Sequence, residues 1–145
     1  MKLNGIDVKI SILENECKTL HRNFINYHTK KSPYIILKWA ESNDGYISPS
    51  KKNRNKPYWI SCKKSRQLVH KWRSSENSIL VGYNTVVEDN PKLTTRHFGG
   101  KNPIRIVLDP KNKLKDDFKV FDSNSKTIKV TLKKAVSYTH LTLPT

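Results

Sequence analysis

Apolar positions along this chain come in short runs whose spacing changes from stretch to stretch. At residues 6–12, Ile6, Val8, Ile10 and Ile12 alternate with Asp7, Lys9 and Ser11, the period of a half-buried strand. Ser11 and Glu14 have the spacing of a capping box. Leu13, Cys17, Leu20, Phe24 and Tyr27 then recur at helical spacing, predicting one amphipathic helix of about 15 residues with Cys17 on its core stripe. His21 and His28 fall on the same helix and are read as exposed or capping residues. Lys30, Lys31, Ser32 and Pro33 break it.

The run YIILKWA at 34–40 is almost unbroken apolar, as a strand buried on both faces would be. Asp44 and Gly45 mark a tight turn after it, and residues 48–57 form a basic loop without periodicity. Tyr58, Trp59 and Ile60 are a brief apolar patch. Ser61 is placed to cap a helix whose apolar face is Leu68, Val69 and Trp72, with Arg73 at the carboxyl end where a cation suits the helix dipole. Ile79, Leu80 and Val81 form a short buried strand that stops at Gly82. Asn84 is placed to cap a single helical turn from Thr85, whose free N–H groups would face an anion or polar ligand, and Pro91 ends that turn. Gly99 and Gly100 mark a surface loop. PIRIVLDP at 103–110 reads as a strand with a proline stop. Val120 with Phe121, and residues 127–131, begin one or two more strands around a turn at 122–125. Strands alternating with helices predict an α/β fold, and the strand ending at Gly82, followed by Asn84, Thr85, Asp89 and Asn90, puts polar groups at the carboxyl edge of its sheet.

The last eleven residues, 135–145, hold no Lys, Arg, Asp or Glu in a chain that is 28% charged. They resemble translated adapter read-through and are set apart from the fold as a foreign tail. An α/β sheet ordinarily has more strands than this, so the chain is expected to be a fragment.

Composition narrows the function classes. A length of 145 residues fits one domain. The net charge of +16 is read first as a solvated Lys- and Asn-rich surface; its functional reading is an anionic partner, either nucleic acid or a phosphorylated small molecule. Basic residues interleaved with aromatics, or a recognisable nucleic-acid module, are not found. Cys17 and Cys62 form no C-x-x-C and have no His pair nearby, which leaves a zinc site unsupported and suits a reducing cytoplasm. No apolar stretch approaches the roughly 20 residues of a membrane span.

Several motifs occur in one order and spacing: PYIILKWAESNDG at 33–45, Trp59 with Ile60 and Ser61, Arg66, VHKWR at 69–73, ILVG at 79–82 with Asn84, Thr85 and Val86, DNP at 89–91 with Leu93, Thr94 and Arg96, and PIRIVLD at 103–109. Together they resemble the reductase domain of the bifunctional riboflavin-biosynthesis deaminase/reductase family, over about residues 33 to 131. Residues 1–31 resemble the end of the preceding deaminase domain and its linking helix, and residues 32–134 the amino-terminal part of the reductase domain. The resemblance implies a dihydrofolate-reductase-like mixed sheet flanked by helices, here incomplete. It implies NADPH-dependent reduction of the ribosyl group of a phosphoribosylaminopyrimidine to a ribityl chain, with no nucleic-acid or membrane partner and with pairing into a homodimer. It places cofactor contacts at Ala40, Trp59, Thr85 and Asp89, and substrate contacts at Arg73, Leu93 and Arg96; Asp89 is the candidate general acid. Zinc deaminase chemistry needs H-x-E and P-C-x-x-C, and neither occurs. The family's usual Asp-Asp-Pro is Asp89, Asn90, Pro91 here, while Pro57 and Pro110 stand where some relatives have ligand-contacting serines. The later glycine-rich cofactor segment is not reached, and the chain alone is expected to be inactive. A dihydrofolate-reductase-like enzyme with another substrate and a basic nucleic-acid-binding domain are the competing readings.

Overall fold

A computed structural model describes Gly5 and residues 7–49 and 58–132. Ile6, the basic stretch 50–57 with Pro57, and residues 133–145 lie outside the described residues. Two compact units divide between Trp39 and Ala40.

In the first unit, α1 (Glu14–Leu20) and α2 (Arg22–Lys30) replace the single helix expected. The break is His21, whose φ of −96° and ψ of 17° leave the helical region. The capping box does not form. The cap residue is Leu13, in a left-handed conformation without a side-chain cap bond, and the Ser11 side chain instead meets the Glu14 carboxylate. Residues 7–12 are not a strand, and Ile10 and Ile12 are exposed. Alternation alone does not make a strand stable without a neighbour to complete its hydrogen bonds. Cys17, Leu20, Phe24 and Tyr27 are exposed, against the core stripe expected. His28 stacks on Phe24 at 4.2 Å between ring centroids. Among the described residues, 34–39 make no strand pairing, and Ile35, Leu37 and Trp39 are exposed, so this run is not the expected strand buried on both faces.

The second unit begins with a turn at Ser42–Tyr46, as the Asp-Gly pair predicts. Gly45 takes a φ of 80° there and its N–H bonds the Ser42 carbonyl at 2.9 Å. Helix α3 (Lys63–Ser75) is capped at Cys62 rather than Ser61. Leu68 and Trp72 stay partly exposed, and the buried residue of α3 is polar, His70.

Among the described residues the sheet is three parallel strands in sequence order, β1 (Ser78–Gly82), β2 (Ile104–Leu108) and β3 (Thr127–Val130). Register places Ile79 against Arg105 against Thr127, and Val81 against Val107 against Lys129. Because side chains alternate along a strand, these rows share one face. That face carries the core of Val86, Leu93, Val107, Leu114 and Val120. Leu80, Ile104, Leu108, Ile128 and Val130 point the other way and are exposed; β1 is therefore half-buried, not the buried strand expected of Ile79, Leu80 and Val81. Helix α4 (Tyr83–Asp89) starts directly after β1, so Asn84 lies inside it and Gly82 is its cap. Val120 and Phe121 sit in a 3-10 turn (Lys119–Phe121), not a strand, because Val120 plugs the core.

One buried cation ties the loops together. Arg105 is wholly buried on β2. Its guanidinium donates to the Asp122 carboxylate at 2.7 Å, to the Asp122 carbonyl at 2.6 Å, to the Ser125 carbonyl, and to Lys92 O at 3.2 Å. A planar fork of fixed donors can serve several loops at once, which a lysine cannot.

Candidate active site

Helical spacing puts His70 and Arg73 one turn apart on α3. The segment 90–96 comes to meet them, and it is fastened at nearly every residue. It leaves α4 through Asn90, whose φ of 40° is left-handed, a conformation asparagine tolerates better than most residues. The Asn90 Oδ1 accepts Lys119 N–H at 2.8 Å, so the asparagine in place of the family's second aspartate has a structural task. The Lys92 carbonyl is held by Arg105. Leu93 also has a positive φ of 56°, and its side chain is in the core. Such a conformation costs a non-glycine residue on the order of 1 kcal/mol or more, and packing of the Leu93 side chain holds it there.

Thr94 is the hub. Its carbonyl accepts from Arg73 Nη1 at 3.3 Å, and its hydroxyl accepts from Arg96 Nη1 at 3.1 Å. Thr95 N–H bonds Asn102 Oδ1 at 2.8 Å. Arg96 N–H bonds His70 Nδ1 at 3.0 Å. The His97 ring meets the His70 ring edge-on at 4.7 Å.

The electrostatics are lopsided toward positive charge. Burial lowers the pKa of Arg73, and the neighbouring Arg96 charge lowers it further. Burial also pushes His70 down to about 4, with Arg73, Arg96 and His97 adding to the effect. His70 is therefore neutral at pH 7, and since its Nδ1 accepts a hydrogen bond, its proton is on Nε2. Arg73 Nε is buried without a hydrogen-bond partner among the described residues. The guanidinia of Arg73 and Arg96 both donate to Thr94, and forked donors of this kind are chemically suited to an anion such as phosphate.

The cofactor candidates stand elsewhere in the same unit. Thr85 and Asp89 are four residues apart on α4, share one face, and are both exposed. Ala40 is half-buried. Trp59 is 57% exposed, with the Arg66 guanidinium 4.3 Å from its ring centre. The structure thus joins Arg73, Leu93 and Arg96, but Leu93 offers a ligand only its backbone. His70, Thr94 and His97 are site residues that sequence reasoning did not single out. His70 and Thr94 lay within the motifs, His70 three residues before Arg73 and Thr94 two before Arg96. Among the described residues, no group of three or more His, Cys, Asp or Glu is placed to hold a metal ion, and no helix is long and apolar enough to cross a membrane. A cleft on α1 and α2, lined by Lys18, Arg22, Asn26 and Tyr34, contains none of the site residues.

Comparison with known proteins identifies relatives of the fold. Residues 33–143 match the family model of the RibD C-terminal domain. The riboflavin biosynthesis protein RibD of Aquifex aeolicus is 37% identical over 90% of this chain and 36% of its own length. The chloroplastic riboflavin biosynthesis protein PYRR of Arabidopsis thaliana is 34% identical over 90% of this chain and 22% of its own. The crystal structure of a diaminohydroxyphosphoribosylaminopyrimidine deaminase/5-amino-6-(5-phosphoribosylamino)uracil reductase from Thermotoga maritima superposes with a TM-score of 0.83 and 40% identity, covering 95% of this chain and 39% of that one. The chain spans little more than a third of the length of the relatives from Aquifex and Thermotoga. Its parallel strands and helices are those of the RibD reductase domain, a dihydrofolate-reductase-like α/β fold. By motif, fold and identity together, the chain belongs to the RibD C-terminal domain family.

Proposed function

We propose that this chain supplies the substrate-phosphate and nicotinamide side of a pyrimidine reductase, acting in the NADPH-dependent reduction of the ribosyl group of 5-amino-6-(5-phosphoribosylamino)uracil to the ribityl product of riboflavin biosynthesis. The observation that carries this reading is the convergence of Arg73 and Arg96 on Thr94. Such a paired cationic grip suits a sugar phosphate, and the Thermotoga neighbour is described as a reductase of a phosphoribosylated uracil.

Arg73 and Arg96 hold the phosphate, and the Leu93 backbone lines the approach to the ribose. When bound, NADPH supplies the hydride. Ala40, Trp59, Thr85 and Asp89 would hold it, and their chemistry fits its uncharged parts. Trp59 offers an exposed indole for stacking, and Thr85 and Asp89 offer a hydroxyl and a carboxylate for amide and ribose hydrogens. The Asp89 carboxylate repels phosphate, so these four residues leave the cofactor phosphates to other groups. Asp89 is also the candidate to deliver a proton. The protein's share of the catalysis is to position the opened ribose and exclude wrong geometries.

Calorimetric titration of the chain with ribose 5-phosphate and with ribose tests this. Saturable binding of the phosphorylated sugar, weakened in Arg96→Gln, is expected. Equal binding of both sugars would overturn the proposal. So would salt-sensitive oligonucleotide binding that ribose 5-phosphate does not displace, which belongs to a nucleic-acid-binding domain.

A further inference from the structure

The hydrogen bond from the Arg96 backbone to His70 lies outside the substrate contacts already assigned. His70 is 5% exposed in the middle of α3. A buried imidazole on a helix facing a loop has two ordinary uses. It fills volume, or it takes a specific hydrogen bond. Here its Nδ1 accepts Arg96 N–H at 3.0 Å, and the residue whose backbone it holds is the one whose guanidinium turns back to Thr94. The same helix delivers Arg73 to the Thr94 carbonyl one turn later. His70 and Arg73 therefore fasten the segment from one side, at Arg96 and Thr94, while Arg105 fastens it at Lys92 from the other. The strain at Leu93 makes such fastening necessary, because a left-handed leucine relaxes unless its neighbours are fixed.

We propose that His70 is a positioning residue for the phosphate grip: as a neutral acceptor for the Arg96 backbone N–H, it sets the path of residues 94–96 so that the Arg73 and Arg96 guanidinia meet one phosphate. It touches no substrate atom and acts through Arg96. The proposal rests on the phosphate-binding reading of the site.

The test separates acceptor from filler. In His70→Asn, the side-chain oxygen falls near the position of Nδ1 and keeps an acceptor while losing ring volume. His70→Phe keeps the ring and loses the acceptor. Affinity of the chain for ribose 5-phosphate is expected to fall about tenfold in His70→Phe, as for loss of one hydrogen bond, and to stay within about twofold of the parent in His70→Asn. The reverse order, with Phe tolerated and Asn not, would show a volume-filling residue and overturn the proposal, as would equal loss in both. A second readout needs no ligand. Through-hydrogen-bond scalar coupling between the Arg96 amide and His70 Nδ1 is expected in the parent chain by NMR, and its absence overturns the proposal. If the parent chain shows that coupling but binds ribose and ribose 5-phosphate equally, the phosphate reading itself has failed, and the positioning role with it.

Discussion

Arg105 and Asp122 form a pair in which only one partner is sealed from water: the Arg105 side chain is fully buried, whereas that of Asp122 keeps 28% of its surface, with 2.7 Å between Nη1 and Oδ1. A buried guanidinium must find acceptors for its donors or carry a large desolvation cost. Its two terminal nitrogens find them in the Asp122 carboxylate and in the backbone carbonyls of Lys92, Asp122 and Ser125, on two loops, while Nε has no partner among the described residues. Arg105→Met leaves those carbonyls without a donor and is expected to cost on the order of 3 kcal/mol. Arg105→Lys recovers only part of this, since an ammonium cannot fork to several loops. Urea denaturation of the two variants checks both, and an unchanged midpoint in Arg105→Met would refute this account of the loop structure.

The same pair has a pH signature. The hydrogen bond from Arg105, and then that from Asn124, hold the Asp122 carboxyl below its usual value. A carboxyl with a depressed folded-state pKa stabilises fully above its unfolded value, roughly pH 4, and the contribution disappears as pH falls through the folded value. Asp122→Asn is expected to flatten the acid limb of the stability curve below about pH 4; an acid limb identical to that of the parent would contradict it.

His70 gives a second, higher window. Its pKa falls from 6.5 to about 4 in the folded chain. Between those values the unfolded chain binds the extra proton and the folded chain does not, so stability rises with pH across this range. The slope for one proton is at most about 1.4 kcal/mol per pH unit. Burial is the main cause, and the Arg73, Arg96 and His97 charges work in the same direction. Thermal unfolding measured from pH 4 to 7 should show this slope in the parent, and His70→Asn should lack it. A parent curve that is flat there would mean His70 titrates normally.

Gly100 has a constraint that its place in a surface Gly-Gly loop does not advertise. Its φ is 123°, and a Cβ there would lie 2.8 Å from Ser74 Cβ at the end of α3. Gly100→Ala combines an unfavourable backbone with a collision and is expected to destabilise by at least about 1 kcal/mol. Gly99→Ala, with nothing within 4 Å of its added methyl, is the control. Equal melting temperatures for the two variants would remove the constraint.

Residues 79–81 and 104–108 were legible as strands because short apolar runs end at Gly82 and at Asp109 with Pro110, and both strands do pair. The equally apolar run at 34–40 makes no such pairing among the described residues, for apolarity records a tendency to be buried and not the presence of a neighbour. Helix α3 was legible, but its buried residue was not. Helical periodicity counts Leu68, Val69 and Trp72 as the inner face, whereas a hydrogen bond to a loop twenty-six residues away is what holds His70 inside. Arg73 and Arg96 were nominated by motif alone. Their meeting at Thr94 depends on left-handed Asn90 and Leu93; asparagine tolerates that conformation, but a leucine does not announce it. Arg105 looked like one more basic residue in a strand, and its burial follows from register, which places it on the core face beside Ile79 and Thr127.

Arg96 and Asp89 should separate the two halves of the site. Arg96 is exposed and contributes little to the core, so Arg96→Gln should fold like the parent. A lost charge-assisted contact to phosphate is worth about 1.5 to 3 kcal/mol, which predicts about ten- to hundredfold weaker binding of ribose 5-phosphate. NADPH binding should change little, because Arg96 is tied to Thr94 and α3 rather than to α4. Asp89→Asn, on the exposed face of α4, should do the opposite: it removes the anionic acceptor offered to the nicotinamide amide or ribose and leaves the arginine pair intact. Titrating both variants with both ligands gives a two-by-two comparison. Losses confined to ribose 5-phosphate in one variant and to NADPH in the other support two neighbouring subsites. Parallel losses of both ligands in either variant would mean that the site is not divided in this way, and the assignment of Thr85 and Asp89 to the cofactor would have to be abandoned.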